Sequence, residues 1–268
     1  MAMNTINLAQ AVRISSLKMV SRAKASHIGS ALSIVDILSV LYGKILNYDK
    51  ENEYFSERDR FILSKGHGCV SVYAVLAEVG FFKKEDLKTY GVNFSDLMNH
   101  ISHKIKGVEF STGALGHGLS FGVGKALNAK ITKRKWKTFV LLSDGEMDEG
   151  SNWEALMFAS HHKLNNLTAI IDYNKLQSLD TIKNTLNLEP LKDKLKSFGC
   201  HVIDLDGHNH SELERAFLED SGNSPKVIIA NTIKGKGVSF MENSVAWHYK
   251  SPNKDELDSS LKEILNEK

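Results

Sequence analysis

Two apolar runs, Thr138 to Leu142 and Leu167 to Ile171, dominate the middle of the chain, with an amphipathic stretch between them. The first ends in Ser143-Asp144-Gly145 and the second in Asp172-Tyr173-Asn174, so each run stops at a polar turn. Short apolar runs bounded by turn residues predict buried strands, and the stretch between them predicts a crossover helix. A crossover of this kind brings both strand ends to one edge of a parallel sheet, where ligands bind. Asp144 and Asn174 are therefore expected close together although thirty positions separate them.

The pattern extends to both sides. Ile6, Leu8, Val12, Ile14, Leu17 and Val20 recur at helical spacing, with Arg13, Lys18 and Arg22 between them, which predicts a helix over 6–25. The segment Ala25-Ser26-His27-Ile28-Gly29-Ser30 breaks it, and Ile34, Ile37, Leu38 and Leu41 carry a second helical stripe up to Leu46. A short strand is expected over 60–63, helices over 70–79 and 84–90, an irregular polar stretch over 91–106, and a glycine-containing helix ending near Ile131. Helix 191–198, strand 202–205, helix 211–218 and strand 226–230 follow, then a charged helix from about Asp255. Such alternation predicts an α/β fold with a mostly parallel sheet. No repeat, low-complexity tract or linker divides the chain, so one domain over 1–268 is expected.

Composition narrows the function classes. The chain has 268 residues, 42% hydrophobic and 25% charged, as in a soluble globular protein. A net charge of +2 favours neither a nucleic-acid surface nor a polybasic membrane anchor. No apolar run approaches the roughly 20 residues that span a bilayer, and no basic segment followed by an apolar one opens the chain. Cys69 and Cys200 make no metal spacing and fit a reducing, cytoplasmic setting.

Asp144 and Asn174 offer a carboxylate and an amide oxygen, hard ligands suited to Mg2+ or Ca2+ carrying a phosphate, and Gly145 adds an N–H that no side chain obscures. The alternative is that Asp144 merely caps the following helix. His27, His67, His117 and His248 each stand beside glycine or another small residue. Singly, each reads as a structural histidine. Jointly, they suit hydrogen bonding to phosphate and proton movement near neutral pH. Gly116, Gly118, Gly122 and Gly124 do not make a dinucleotide loop, because no strand immediately precedes them. Close helix packing accounts for Gly122 and Gly124.

These segments, in this order, resemble the N-terminal part of transketolases from end to end. Asp144-Gly145 followed by Asn174 is similar to the thiamine diphosphate signature Gly-Asp-Gly…Asn, with Ser143 in place of the first glycine. Ala25 to Ser30 resembles the family's Ser-Gly-His-Pro-Gly-Ala loop with Ile28 for proline, and Leu63 to Gly68 resembles Leu-Ser-x-Gly-His. Gly107 to Gly118 resembles Gly-Val-Glu-x-Thr-Thr-Gly-Pro-Leu-Gly-Gln-Gly, with Ala114 for proline and His117 for glutamine. Asn99 to Ser102 keeps only the histidine, His100, of the family's Gly-His-Pro-Glu. Gln177-Ser178-Leu179-Asp180 departs from the family's Thr-Ile-Asp-Gly, and Tyr249 stands where glycine is usual.

The resemblance implies a three-layer thiamine diphosphate-binding fold with helices on both faces of the sheet. Asp144, Asn174 and the carbonyl of Leu176 would bind the divalent metal. His67, Gly145 and His248 would approach the diphosphate, Gly113 and Leu115 would hold the aminopyrimidine, and His27, His67, His100 and His248 would line the substrate channel. Glu149 matches an acidic residue near the family's subunit interface, with an exposed first-turn glutamate as the alternative. The chain reaches Lys268 soon after this part is complete, so the resemblance leads us to expect a split transketolase. In it a separate C-terminal subunit would bring the pyrimidine-binding domain, the two forming a dimer of heterodimers that acts on sugars or sugar phosphates. A 2-oxo acid dehydrogenase α-type chain, a sugar-pathway synthase, a catalytically silent relative and a shortened piece of a longer enzyme are the alternatives.

Overall fold

The computed structural model describes residues 4–52 and 54–266. Five strands form an all-parallel sheet in the order β1-β2-β3-β5-β4: β1 (Arg60–Leu63), β2 (Thr138–Ser143), β3 (Leu167–Tyr173), β4 (His201–Asp206) and β5 (Lys226–Asn231). β1, β2 and β3 are buried on both faces, which is why they read as continuous apolar runs. Successive side chains still alternate between two cores. Phe61, Leu63, Phe139, Leu141, Ile170 and Ile228 enter one, and Ile62, Val140, Leu142, Ala169, Ile171 and Ile229 enter the other.

Helices cover both faces. The first core takes α1 (Thr5–Ala23), α2 (Ile28–Leu32), α3 (Val35–Val40), α4 (Cys69–Val79) and the apolar side of α9 (His210–Leu218). The second takes α5 (Gly118–Ile131), α6 (Gly150–His161) and α8 (Leu191–Ser197), while α7 (Ile182–Thr185) buries Ile182 there. The last helix, α10 (Lys254–Asn266), packs on α1. Helix α1 starts at Asn4, whose side-chain oxygen accepts the N–H groups of Ile6 and Asn7, and ends at Lys24 in the left-handed region.

Three expectations need correction. The stripe expected from Ile34 to Leu46 begins earlier, because Ile28 and Gly29 already open a helical turn, and it closes in a π turn over Leu41–Ile45. Joined, Ile28–Ile45 is an 18-residue helical segment apolar enough to cross a membrane by length and composition, contrary to the expectation that none approaches it. It is 83% buried inside the protein, in the core shared with α1 and α4. Gly122 and Gly124 do not share one explanation either. A Cβ on Gly122 would stand 2.4 Å from Val140 Cγ2, so α5 approaches β2 as closely as it does because that position is bare, whereas Gly124 has nothing within 4 Å.

The two glycines should therefore respond oppositely to alanine. Gly122→Ala is expected to cost about 1–3 kcal/mol through overpacking, and Gly124→Ala to gain about 0.5–1 kcal/mol of helix stability. Urea denaturation of both variants measures this, and equal effects would remove the packing explanation.

Candidate active site

Because every strand runs the same way, the residues that follow β1, β2, β3 and β5 all emerge on one edge of the sheet. Ser64-Lys65, Asp144-Gly145, Asn174 and Thr232-Ile233-Lys234 meet there. They open onto a cavity of about 260 Å³, whose walls include Asp144, Asn174, Leu176, His67, Lys234 and His248. A roomier cleft of about 390 Å³ lies beside the start of β1 rather than its end, and in it Glu109 is already paired with Arg58 at 2.6 Å.

Asp144 and Asn174 are neighbours, as the crossover requires. Asp144 is 2% exposed; its Oδ2 accepts the Lys175 N–H at 2.6 Å and its Oδ1 accepts the Gly145 N–H at 2.7 Å. The Gly145 N–H, expected to be free, is thus engaged by its neighbour. Asn174 Oδ1 accepts the Leu176 N–H at 3.1 Å, and Asn174 Nδ2 donates to Asp172 Oδ2 at 3.0 Å. Burial, reinforced by the charge of Asp172, pushes the Asp144 carboxyl up to about 7. A carboxylate held in so unfavourable a place is one that a cation would stabilise. No group of three His, Cys, Asp or Glu able to hold a metal exists among the described residues. A metal here would be held by the mixed oxygen set of Asp144, Asn174 and the Leu176 carbonyl, which suits Mg2+ or Ca2+.

Two lysines that the pattern of the sequence did not single out complete the electrostatics. Lys65 is wholly buried and pairs with Asp172 at 2.5 Å, also donating to the Ser30 carbonyl at 3.0 Å. Lys234, 1% exposed, donates to the carbonyls of Leu176 and Gln177 and lies 3.2 Å from His248 Nδ1, with no carboxylate within ion-pairing distance among the described residues. Burial and the nearby Lys65 lower its ammonium to about 8. Asp172 compensates the charge of Lys65, so Lys234 is the buried ammonium at this cavity that an anion would satisfy. The available signal was Lys234-Gly235 three residues past the end of a strand. Gly235 has φ +86°, and a Cβ there would stand 2.3 Å from the Met241 carbonyl oxygen.

Four histidines converge beside this cavity. The His27 ring lies 5.3 Å from His67, 5.7 Å from His100 and 5.0 Å from His248, and His67 lies 5.8 Å from His248. His27 is held in the left-handed region at φ 74°, where its N–H donates to the His248 carbonyl at 2.7 Å. Burial and neighbouring positive groups lower His27 to about 4 and His248 to about 3, and burial drives His67 well below its ordinary value. These are neutral imidazoles at pH 7, able to donate and accept.

Gly113 sits under the His100 ring, 3.5 Å from the nearest ring atom to a Cβ built on it, and Leu115 lines the cavity. His117 does not join the group. It is exposed at the start of α5, with Nδ1 at 3.0 Å from the Leu115 carbonyl, and it is His100, which the family resemblance named, that stands beside His27. Glu149 is exposed at the start of α6, and Tyr249, 59% exposed, stacks edge-on to His248 at the rim.

Residues 4–266 match the family model described as transketolase, thiamine diphosphate binding domain. The chain belongs to the transketolase family. It is 44% identical over 243 residues to an apulose-4-phosphate transketolase subunit of Actinobacillus succinogenes, covering 90% of this chain and 88% of that one. It is 38% identical over 263 residues to a 6-deoxy-6-sulfo-D-fructose transketolase subunit of Clostridium sp., covering 97% and 95%. The transketolase structure of Campylobacter jejuni superimposes with a TM-score of 0.92 at 29% identity over 98% of this chain, which spans 43% of that longer chain. The three-layer parallel architecture is thus the one this transketolase shares.

The lowered histidines set a direction for pH dependence. Between about 4 and the ordinary 6.5 the unfolded chain binds protons at His27 and His248 that the folded chain excludes. Stability therefore rises with pH across this window and is lost as pH falls through it. His248→Asn should lose less melting temperature than wild type between pH 7 and pH 5; equal losses in thermal melts would show that His248 is not held neutral by the fold.

Proposed function

We propose that this chain is the N-terminal, cofactor-holding subunit of a transketolase that moves a two-carbon ketol unit from a ketose to an aldose. The observation that carries the reading is the joint placement of Lys65, Lys234 and the strained carboxylate of Asp144 around one cavity, with four histidines gathered on its flank. A diphosphate with its metal satisfies both charge requirements at once. Asp144, Asn174 and the Leu176 carbonyl would hold Mg2+ or Ca2+, and Lys234, His67 and His248 would face the phosphate oxygens. Backbone at Gly113 and Leu115 would hold the aminopyrimidine. When bound, thiamine diphosphate supplies a nucleophilic carbon and an electron sink for the transferred unit.

The protein's own residues supply placement and proton handling. His67, His100 and His248, gathered around His27, would together with it donate to the carbonyl and hydroxyl oxygens of the sugar and accept protons from them. Burial of this edge excludes water from the charged groups, which strengthens each interaction. The partner we propose is a C-terminal subunit with the pyrimidine-binding domain, assembled as a dimer of heterodimers. Two relatives of nearly equal length to this chain, both called subunits of transketolases, support that reading. Both are named for sugars bearing a phosphate or sulfo group, which supports a sugar of the same acidic kind as substrate.

Reconstitution tests the proposal. Ketol transfer should appear only when the chain is mixed with its partner subunit; turnover by the chain alone would sink the two-subunit reading. Asp144→Ala should weaken metal-dependent cofactor binding about a hundredfold or more while the far-UV circular dichroism stays that of wild type. Unchanged retention of cofactor in a calorimetric titration would remove the metal assignment.

A further inference from the structure

The turn that carries Asp144 contains a carboxylate the reaction does not use. Glu146 is fully buried, with 0% of its surface exposed. Its Oε1 accepts the Ser64 hydroxyl at 2.5 Å and the Gly116 N–H at 2.9 Å, and its Oε2 accepts the Ser143 N–H at 3.3 Å. In return Ser143 Oγ accepts the Glu146 N–H at 3.2 Å. Ser143 and Glu146 are thus tied reciprocally in the manner of a capping box, just ahead of the short turn that Asp144 caps, and this accounts for Ser143 standing where the family signature has glycine: a glycine has no hydroxyl to accept the Glu146 N–H.

The same carboxylate reaches two other segments. Ser64 follows β1, directly before Lys65. Gly116 belongs to the 113–118 loop, and its carbonyl is also held, by Ser151 Oγ at 2.7 Å. The loop has little room to shift. A Cβ on Gly116 (φ +83°) would stand 2.6 Å from Ser151 Oγ, and one on Gly118 would stand 2.3 Å from Ser64 Oγ. Asn152 Nδ2 fixes the Glu146 carbonyl at 2.6 Å.

We infer that Glu146 is a positioning residue that locks three parts of the cofactor site into one register: the metal turn at Asp144, the Lys65 strand end and the loop at Gly113–Leu115. The functional half of this inference rests on the cofactor reading above; the structural tie does not. Its consequence is that diphosphate and aminopyrimidine positions are set together, by one side chain that touches neither. Outer residues that orient ligands in this way typically change affinity ten- to hundredfold when removed.

Two measurements separate the inference from that reading: amide hydrogen exchange on the chain without cofactor, and calorimetric titration of thiamine diphosphate with Mg2+ into the assembled complex. Glu146→Ala should speed exchange across 113–118 and weaken binding about ten- to hundredfold. Glu146→Gln keeps an acceptor for Ser64 and Gly116 but turns an amide N–H toward the Ser143 N–H. It should restore slow exchange at 113–118 and recover only part of the affinity. Ser143→Gly removes one half of the box and leaves the other ties, so it should cost about twofold.

Should Glu146→Ala fail to fold, the glutamine variant and its exchange pattern decide. Wild-type affinity and wild-type exchange in the folded Glu146 variants would overturn the inference. Accelerated exchange at 113–118 in an assembly whose wild-type form binds no cofactor would uphold the tie and sink the cofactor reading instead.

Discussion

The site depends on one buried carboxylate. Asp172, at the end of β3 and with none of its surface exposed, accepts Lys65 at 2.5 Å, Ser33 at 2.7 Å and Asn174 at 3.0 Å on Oδ2, and Thr232 on Oδ1. Those four donors come from the end of β1, the junction of α2 and α3, the residue after β3's last, and the residue after β5. A buried ion pair of this sort often adds little net stability over apolar groups of the same shape. What it adds here is position. Removing any donor would leave charge unmet in a low-dielectric interior, so the ends of three strands and a helix junction share one solution.

From that constraint follows a division of labour between two aspartates at the same edge. Lys65 and its companions hold the Asp172 carboxyl below its ordinary range despite complete burial. Asp144, almost as buried, has only backbone N–H groups at hydrogen-bonding distance, and burial together with the charge of Asp172 raises it. Opposite shifts in two groups of one type assign them different tasks. Asp172 is a finished structural acceptor, and Asp144 is the group left wanting a cation. Lys234 is the converse, a buried ammonium satisfied only by carbonyls and an imidazole. An unmet negative charge and an unmet positive charge in one cavity describe a metal-bound anion more specifically than either alone.

Much of this was legible in the sequence because it is carried by periodicity and by turns. Strand-length apolar runs ending in Asp144 and Asn174 led to the expectation that the two meet, because consecutive strands joined by a crossover mostly lie side by side, as β2 and β3 do here and β3 and β4 do not. The four-histidine cluster was less legible. His27, His67 and His248 were marked by their small neighbours, yet His117, marked in the same way, turns outward as α5 begins, and His100 comes in from an irregular stretch without a period to read. Lys65 and Lys234 were passed over because a lysine among polar residues ordinarily signals solvent. Their burial follows from long-range partners, Asp172 and the Leu176 carbonyl, which no local window contains. Ser143 misled in the other direction: compared with glycine it is a loss of backbone freedom, and only Glu146 three residues on makes it a gain.

The histidines show how such a site tunes itself. Part of what holds His27 and His248 neutral is the positive charge of Lys65 and Lys234, acting along with burial. An anion seated at the cavity beside Lys234 would offset part of that field. The pKa values of the imidazoles would then rise part of the way back toward their ordinary value, burial still holding them down. By linkage, an anion that raises these groups binds more tightly as pH falls toward their range. Proton-accepting capacity at the histidines and affinity for an anion at the cavity are therefore coupled. That coupling needs no moving part, only the fixed spacing that Asp172 imposes on the strand ends.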